Sequence, residues 1–459
     1  MKLLSINPAT EEVIDEFEVS DKKTVSNAVK KAKIVFNEWK KTDISERAKF
    51  IIDLAQNIKN HKNELTKIIT SEMGKIISEA EGEIDETVNE LEWFAKEGKK
   101  YLENEVVDVK NLNVKSYLRF DPLGVVGIIT PWNFPLNNPL WKIAPALLAG
   151  NTIVWKPSEL TPFVSIEIAK MFQNIGIPEG VFNLVLGTDD TGKYLVDSKV
   201  DMICLTGSSE TGKKVASKAG KKLKKLVLEL GGSNPSIVCN DADLDKAVEG
   251  AILGRFFNCG QVCSADKRFY VEKKIANDFI EKFVEKVKNL KVGNPLDSSI
   301  NLGPLVSSEQ RTKIEEQVND SVNKGAKVLL GGKKPENLSK GYFYLPTVLT
   351  NVNHKMRVIK EETFGPVAPI ISVKNMKEAI RLANDSLYGL GASIWTNNLE
   401  KAEDIAKELQ VGMVWINDTN TVYPECPWGG VKESGIGREL SKYGILEFVN
   451  IKPIMIKHH

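Results

Sequence analysis

Apolar positions in the first hundred residues recur at helical spacing. Val25, Val29, Ala32, Val35 and Trp39 share one helix face. A second helix is expected after Asp43, with Glu46 three residues on completing a capping box. The whole stretch therefore reads as helical. Between 103 and 121 the period changes. Val106, Val107, Val109, Val114, Tyr117 and Phe120 alternate loosely, which predicts a pair of strands lying outside the helical layer. From 124 onward, short and wholly apolar runs (125–129, 152–155, 182–186, 202–205, 226–230) alternate with helical stretches near 140–148, 161–174 and 209–219. Strands of that kind are buried on both faces, as in parallel βαβ units covered by helices. The carboxyl ends of such strands are where nucleotides bind. A second α/β section spans 232–430, with strands at 268–271, 328–330, 367–371 and 411–416. The tail after Gly444 holds one more strand at 448–451, suited to pairing with the 103–121 strands or with another subunit's edge. No internal repeat, low-complexity tract or long linker interrupts this order.

The chain has 459 residues, room for about three domain-sized portions. Hydrophobic residues are 42% and charged residues 27%, which excludes a disordered or fibrous chain. Lys plus Arg is 62 against 61 for Asp plus Glu, so the net charge of +1 supports neither a nucleic-acid nor a polybasic membrane partner. No apolar run reaches spanning length, and Met1-Lys2-Leu3-Leu4-Ser5 lacks the core of a signal peptide. A cytoplasmic protein is expected. The five cysteines (Cys204, Cys239, Cys259, Cys263, Cys426) are an odd number, which favours free thiols. Four histidines are too few and scattered for a metal cluster, so no metal site is expected; His458 and His459 are set aside.

Four segments carry candidate chemistry. Gly207-Ser208-Ser209-Glu210-Thr211-Gly212-Lys213-Lys214 follows an apolar strand. It has Lys214 where a P-loop needs Ser or Thr, and it lacks the Gly-x-Gly-x-x-Gly dinucleotide spacing. What remains is a glycine turn leading into a helix N-terminus, which can face a phosphate or be a plain turn. Cys263 lies in a glycine-bearing loop after a helix, with Gly260 and Gln261 before it, where a thiol can serve as a nucleophile or simply pack. Cys204 and Cys239 sit in apolar strands as small hydrophobes, and Cys259 with Cys263 makes no metal pair. Glu229, before Leu230-Gly231-Gly232, ends a buried strand, where desolvation raises a carboxyl pKa towards that of a general base. Pro131-Trp132-Asn133-Phe134-Pro135 is a rigid loop whose Asn amide is a neutral donor for an oxyanion.

Together and in this order, these segments resemble the NAD(P)-dependent aldehyde dehydrogenase superfamily across essentially the whole chain. Lys156-Pro157-Ser158-Glu159, Phe182-Asn183, Thr206-Gly207-Ser208, Glu361-Glu362-Thr363-Phe364-Gly365-Pro366 and Gly429-Gly430-Val431-Lys432-Glu433-Ser434-Gly435 extend the match. The resemblance implies an α/β fold with a Rossmann-like cofactor domain (1–102 and 123–231), an α/β catalytic domain (232–430) and a small β flap for oligomerisation (103–122 and 445–459). It implies Cys263 as nucleophile, Asn133 as oxyanion donor and Glu229 as the base that hydrolyses the thioester. Cofactor contacts would fall on Trp132, Lys156, Ser158, Glu159, Gly187, Gly207, Ser208, Leu230, Glu362 and Phe364. Either NAD or NADP fits that set; NAD is favoured, because Glu159 would repel a 2′-phosphate. A homodimer or homotetramer is implied. Relatives that pass the acyl group to coenzyme A typically lack the base, so Glu229 favours hydrolysis. The retained catalytic set argues against a non-catalytic relative.

For the substrate, the resemblance divides. Gly231-Gly232-Ser233, Lys267-Arg268-Phe269 and the ending at 437–441 look like the short succinate-semialdehyde dehydrogenase branch. Arginines that hold a substrate carboxylate in that branch correspond here to Trp141 and Phe257. The expected pocket residues are Phe134, Trp141, Phe257 and Trp428, which suit an apolar aliphatic or aromatic aldehyde. Succinate semialdehyde would need another cation, and Arg255 is the candidate.

Overall fold

The computed structural model describes residues 2–110 and 113–457. Met1, Asn111, Leu112, His458 and His459 lie outside the described residues, so those parts of the expected flap, tail and N-terminus do too.

The chain opens on an antiparallel pair, β1 (Lys2–Ile6) and β2 (Val13–Glu18). This corrects the expectation of helix throughout the first hundred residues. The pair buries few side chains, chiefly Leu3 and Ser5, so it leaves almost no apolar alternation to read. Ser5 Oγ instead donates to Glu72 across 2.6 Å. Four helices follow: α1 (Lys22–Trp39), α2 (Ile44–Asn60), α3 (Lys62–Met73) and α4 (Ile77–Glu97). Val25, Val29, Ala32 and Trp39 are the buried stripe of α1. Asp43 caps α2 by accepting the Ser45 N–H at 2.8 Å. Next come β3 (Glu105–Val107) and β4 (Val114–Pro122), the expected strand pair.

The parallel section then unfolds as β5 (Val125–Ile129), α5 (Asn137–Leu148), β6 (Thr152–Lys156), α6 (Pro162–Asn174), β7 (Phe182–Leu184), α7 (Asp189–Asp197), β8 (Met202–Thr206), α8 (Ser209–Gly220) and β9 (Lys225–Glu229). The order β9-β8-β5-β6-β7 is parallel throughout. Alternate side chains feed two separate cores. Val126, Ile128, Trp155 and Cys204 face one, while Val125, Val154, Ile203 and Leu205 face the other. That double burial is why the runs are apolar at every position.

The second sheet is built from β10 (Asn234–Val238), which α9 (Leu244–Phe256) links to β11 (Asp266–Glu272), then β12 (Lys327–Leu330), β13 (Thr347–Thr350) and β14 (Val367–Val373). A two-residue strand, β15 (Tyr388–Gly389), precedes β16 (Gly391–Trp395) and β17 (Met413–Ile416). The order is β12-β13-β14-β11-β10-β16-β17, with only β12 antiparallel to its neighbour. After β18 (Val431–Lys432), which pairs with β15, the chain returns to the first sheet. There β19 (Gly435–Ile436) runs antiparallel to β9, with Gly435 opposite Glu229. Finally β20 (Val449–Lys457) pairs antiparallel with all of β4, from Val449 opposite Pro122 to Lys457 opposite Val114. Among the described residues, no helix is long and apolar enough to cross a membrane.

Candidate active site

Two hollows meet at Cys263, and Thr206 and Leu230 line both. The loop that carries Cys263 is shaped by unusual backbone. After α9, Asn258 and Cys259 adopt left-handed φ values of 51° and 55°, and Gly260 follows at 72°. A Cβ on Gly260 would strike the Arg255 guanidinium and the Gly365 carbonyl, so only glycine fits. Arg255 is fully buried and donates to the carbonyls of Gly260 (3.0 Å), Thr363 (3.2 Å), Asp266 (3.4 Å) and Gly365. It therefore staples the thiol loop to the segment bearing Glu362. This corrects the expectation of a substrate-binding cation: Arg255 lines neither hollow, and its two terminal nitrogens donate to backbone carbonyls.

Burial pushes the Cys263 thiol up to about 12, against the pull of nearby Lys267. The resting group is therefore a thiol, and an attacking thiolate needs a base. Glu229, at the carboxyl end of β9, opens into the same hollow and is 4% exposed. Its Oε1 has no hydrogen-bond partner. Burial first, then the neighbouring Glu439, raises its carboxyl well above the ordinary range. A Cβ on Gly429 would press on Glu229 Oε1, so this glycine leaves room at the carboxylate. Glu439 is itself tied to Lys142 at 2.8 Å, and Lys142 also donates to the Asn138 carbonyl at 3.1 Å. Asn133 is buried beside Cys263. Its side-chain amide donates to the Gln261 carbonyl at 3.0 Å, and its backbone carbonyl accepts from Asn258 Nδ2 at 3.0 Å. The three residues expected to carry the chemistry thus converge.

One hollow is walled by Phe134, Trp141, Phe257 and Trp428, all four as expected. Phe134 stacks on Phe257 with centroids 6.1 Å apart, and Trp141 meets Trp428 edge-on at 5.4 Å. The sequence reading missed Glu86, which also lines this wall. No Lys or Arg among the described residues does. Glu86 comes from α4, in which four of the acidic residues, Glu79, Glu83, Glu86 and Glu90, step by four, three and four. That spacing lies on the core-facing stripe, where carboxylates are out of place, and it was the available signal. Glu83 binds Lys75 at 2.6 Å and the backbone N–H groups of Leu136 and Asn137 at 3.0 Å each. Glu90 accepts from Asn137 Nδ2 at 2.7 Å and from the Trp141 indole. Burial and the neighbouring Glu83 push Glu86 up to about 7.

The other hollow is a groove lined by Trp132, Gly207, Ser208, Leu230, Glu362 and Phe364. Ser208 caps α8, accepting the Thr211 N–H at 3.2 Å, so the positive end of that 12-residue helix opens on the groove. Trp132 and Phe364 meet edge-on at 5.6 Å. Lys156, Ser158, Glu159 and Gly187 are not on this wall. Lys156 ends β6 with Ser158 and Glu159 just beyond it, and Gly187 lies after β7; Lys156 pairs with Glu159 at 3.1 Å. A groove with a helix N-terminus at one place and a carboxylate with aromatic rings at another matches a dinucleotide's phosphates and nicotinamide half. All five cysteines are free, and among the described residues no group of three or more His, Cys, Asp or Glu is placed to hold a metal.

A half-buried thiol, a carboxylate with one unpartnered oxygen in the same hollow and a groove at the carboxyl edge of a parallel sheet suit a cysteine-dependent dehydrogenase. The chain matches the aldehyde dehydrogenase family over residues 1–454 and belongs to it. It is an NAD(P)-dependent aldehyde dehydrogenase. Its similarity to particular members is substantial. It is 40% identical to the betaine aldehyde dehydrogenase of Bacillus subtilis, covering 98% of this chain and 93% of the relative. It is 39% identical to the peroxisomal aminoaldehyde dehydrogenase 1 of Pisum sativum, over 99% and 92%. Among solved structures, the betaine aldehyde dehydrogenase of Staphylococcus aureus in complex with NAD+ superimposes with a TM-score of 0.96 at 38% identity, covering 99% of this chain and 91% of that one. An NADP-dependent enzyme of E. coli gives 0.97 at 36% identity, over 100% and 95%. These relatives lend no support to the succinate-semialdehyde expectation, and among the described residues the aromatic and acidic wall holds no cation for a substrate carboxylate.

Proposed function

We propose that this enzyme oxidises small aldehydes bearing a positively charged amino or quaternary ammonium group to the corresponding acids, with NAD as the preferred cofactor. One observation carries the substrate class: the Glu86 carboxylate shares a wall with four aromatic rings and no basic side chain. Ring faces and a carboxylate attract a cation and repel an anion. The names of the betaine and aminoaldehyde dehydrogenase relatives agree. The Lys156–Glu159 pair supports NAD, because a 2′-phosphate near it would meet the Glu159 carboxylate.

Cys263 Sγ attacks the aldehyde carbon, giving up its proton towards Glu229. The oxyanion is held by the Asn133 amide and the Cys263 backbone N–H. A nicotinamide dinucleotide in the neighbouring groove supplies the hydride acceptor. Loss of hydride leaves a thioester on Cys263. Glu229 releases the first proton to solvent, takes a proton from the attacking water as its oxygen bonds to the acyl carbon, and returns that proton to the departing Cys263 sulfur, so that the C–S bond breaks, the acid leaves and the thiol is restored. The flap strands, with Ile451 and Met455 exposed on β20, serve self-association with a second copy of the chain.

The test is kcat/KM across betaine aldehyde, 3-aminopropanal, hexanal and benzaldehyde, with each cofactor, for wild type and Glu86→Gln. Wild type should prefer the cationic pair, and Glu86→Gln should lose that preference by about tenfold while retaining hexanal turnover. Equal rates on hexanal and the cations would transfer the pocket to apolar aldehydes. Acyl-coenzyme A as product would overturn hydrolysis.

A further inference from the structure

Lys267 is the second residue of β11, fully buried, and lines neither hollow. Its ammonium has three N–H donors, and each has a partner: the Gly232 carbonyl at 2.8 Å, the Cys263 carbonyl at 2.8 Å and Glu362 Oε1 at 3.0 Å. Glu362 Oε1 also accepts the Gly232 N–H at 3.0 Å. Both backbone groups of Gly232 thus close a ring through the lysine and the carboxylate. The same ammonium sits over the Phe364 ring, 5.4 Å from its centroid.

This arrangement immobilises one oxygen of Glu362 and leaves the other. Oε2 occupies the space that a Cβ on Gly231 would fill, and Glu362 is on the groove wall. A lysine acting as a nucleophile or proton carrier needs a free nitrogen lone pair and a route to substrate, and Lys267 has neither. Buried ion pairs add little net stability but specify geometry, because each charge tolerates few positions. The cation here touches the carbonyl of the thiol residue, the turn that follows the Glu229 strand and the carboxylate of the groove.

We propose that Lys267 is a cofactor-positioning residue, which clamps Glu362 so that its remaining oxygen faces the hydroxyls of the nicotinamide-side ribose and registers that ribose against Cys263. The assignment rests on the reading of the groove as a dinucleotide site. It concerns only the half of the cofactor that lies near Glu362, not the half near α8 and Lys156. Its energetic effect is therefore confined to the nicotinamide half and passes through Glu362.

Binding without turnover tests it. Dissociation constants for NAD and for ADP, which lacks the nicotinamide half, are read from quenching of tryptophan fluorescence in wild type, Lys267→Met, Glu362→Gln and the double variant. Lys267→Met should weaken NAD by about tenfold or more and leave ADP within about twofold. On the Glu362→Gln background it should cost NAD no more than about a further twofold. Intact ADP binding shows that the variant is folded. Should Lys267→Met lose ADP as well, Lys267→Gln decides: it keeps amide donors for the carbonyls but drops the charge, and the same selective loss of NAD is expected. Unchanged NAD affinity in both variants, parallel loss of NAD and ADP in both, or full multiplication of the Lys267 and Glu362 effects would each overturn the proposal. A wild-type protein that binds ADP but neither NAD nor NADP would overturn the dinucleotide reading, and the clamp with it.

Discussion

Cys263 and Glu229 are each set against their ordinary chemistry by the same cause, loss of water. The thiol is held protonated and the carboxyl is raised, so in the proposed mechanism the pair works only when Glu229 is ionised and can take a proton. The sign follows. Lowering the pH converts Glu229 to its inactive acid, from a starting point above that of an exposed glutamate. Measured kcat/KM should fall with decreasing pH, with a midpoint above the usual carboxylate range. Glu229→Gln should lose roughly 10²–10⁴ in kcat and flatten the profile, while Cys263→Ala abolishes turnover. A wild-type profile flat down to about pH 5 would remove Glu229 from the role of base. At this scale Cys263, Glu229 and Asn133 were legible in the sequence, because each sits in a short segment with distinctive neighbours. Glu86, Arg255 and Lys267 were not. A charged residue on a helix or strand reads as solvated until its partners are known, and those of Lys267 and Arg255 include Glu362, Thr363 and Gly365, about a hundred positions away.

Among elements, the clearest dependence is that of the thiol loop on α9. Arg255, in its last turn, satisfies four carbonyls from three segments. Arg255→Met would remove a buried donor from all four, of which only the Gly365 carbonyl is shown with a second partner, the Val367 N–H, at a cost of about 3 kcal/mol or more. A fall in Tm by calorimetry, together with equal proportional losses on every aldehyde, is expected. An unchanged Tm with loss confined to one substrate class would return Arg255 to the pocket as a ligand. The strands β5, β6, β8 and β9 could be read because both faces are buried, and α1 because its apolar stripe is complete. The pair β1–β2 could not, since most of its side chains face solvent. In α4 the carboxylate stripe was in plain view, yet its meaning depends on what packs against it: the start of α5, Lys75 and the Trp141 ring.

For the whole molecule, the last strand is the informative one. β20 crosses back over the chain to pair with β4, leaving its outer edge and the exposed Ile451, Met455 and Ile456 on the surface. If a second copy covers them, replacing Ile451 and Met455 by Glu should shift the sedimentation coefficient from oligomer to monomer, leaving Tm within a few degrees. An unaltered oligomer would place the contact elsewhere. Local pattern determined the parallel strands of the first sheet, four strands of the second and the strand flap, but not β10, β13 and β16; the thiol–carboxylate–amide set came from the likeness of short segments to a family. Periodicity and short motifs are properties of neighbouring residues, so they survive in one dimension. The charge that the pocket offers its substrate, the staple under the thiol and the clamp on Glu362 were decided only by the tertiary structure. Each is an interaction between groups far apart in the chain, and the work a buried charge does is set by the partner that neutralises it.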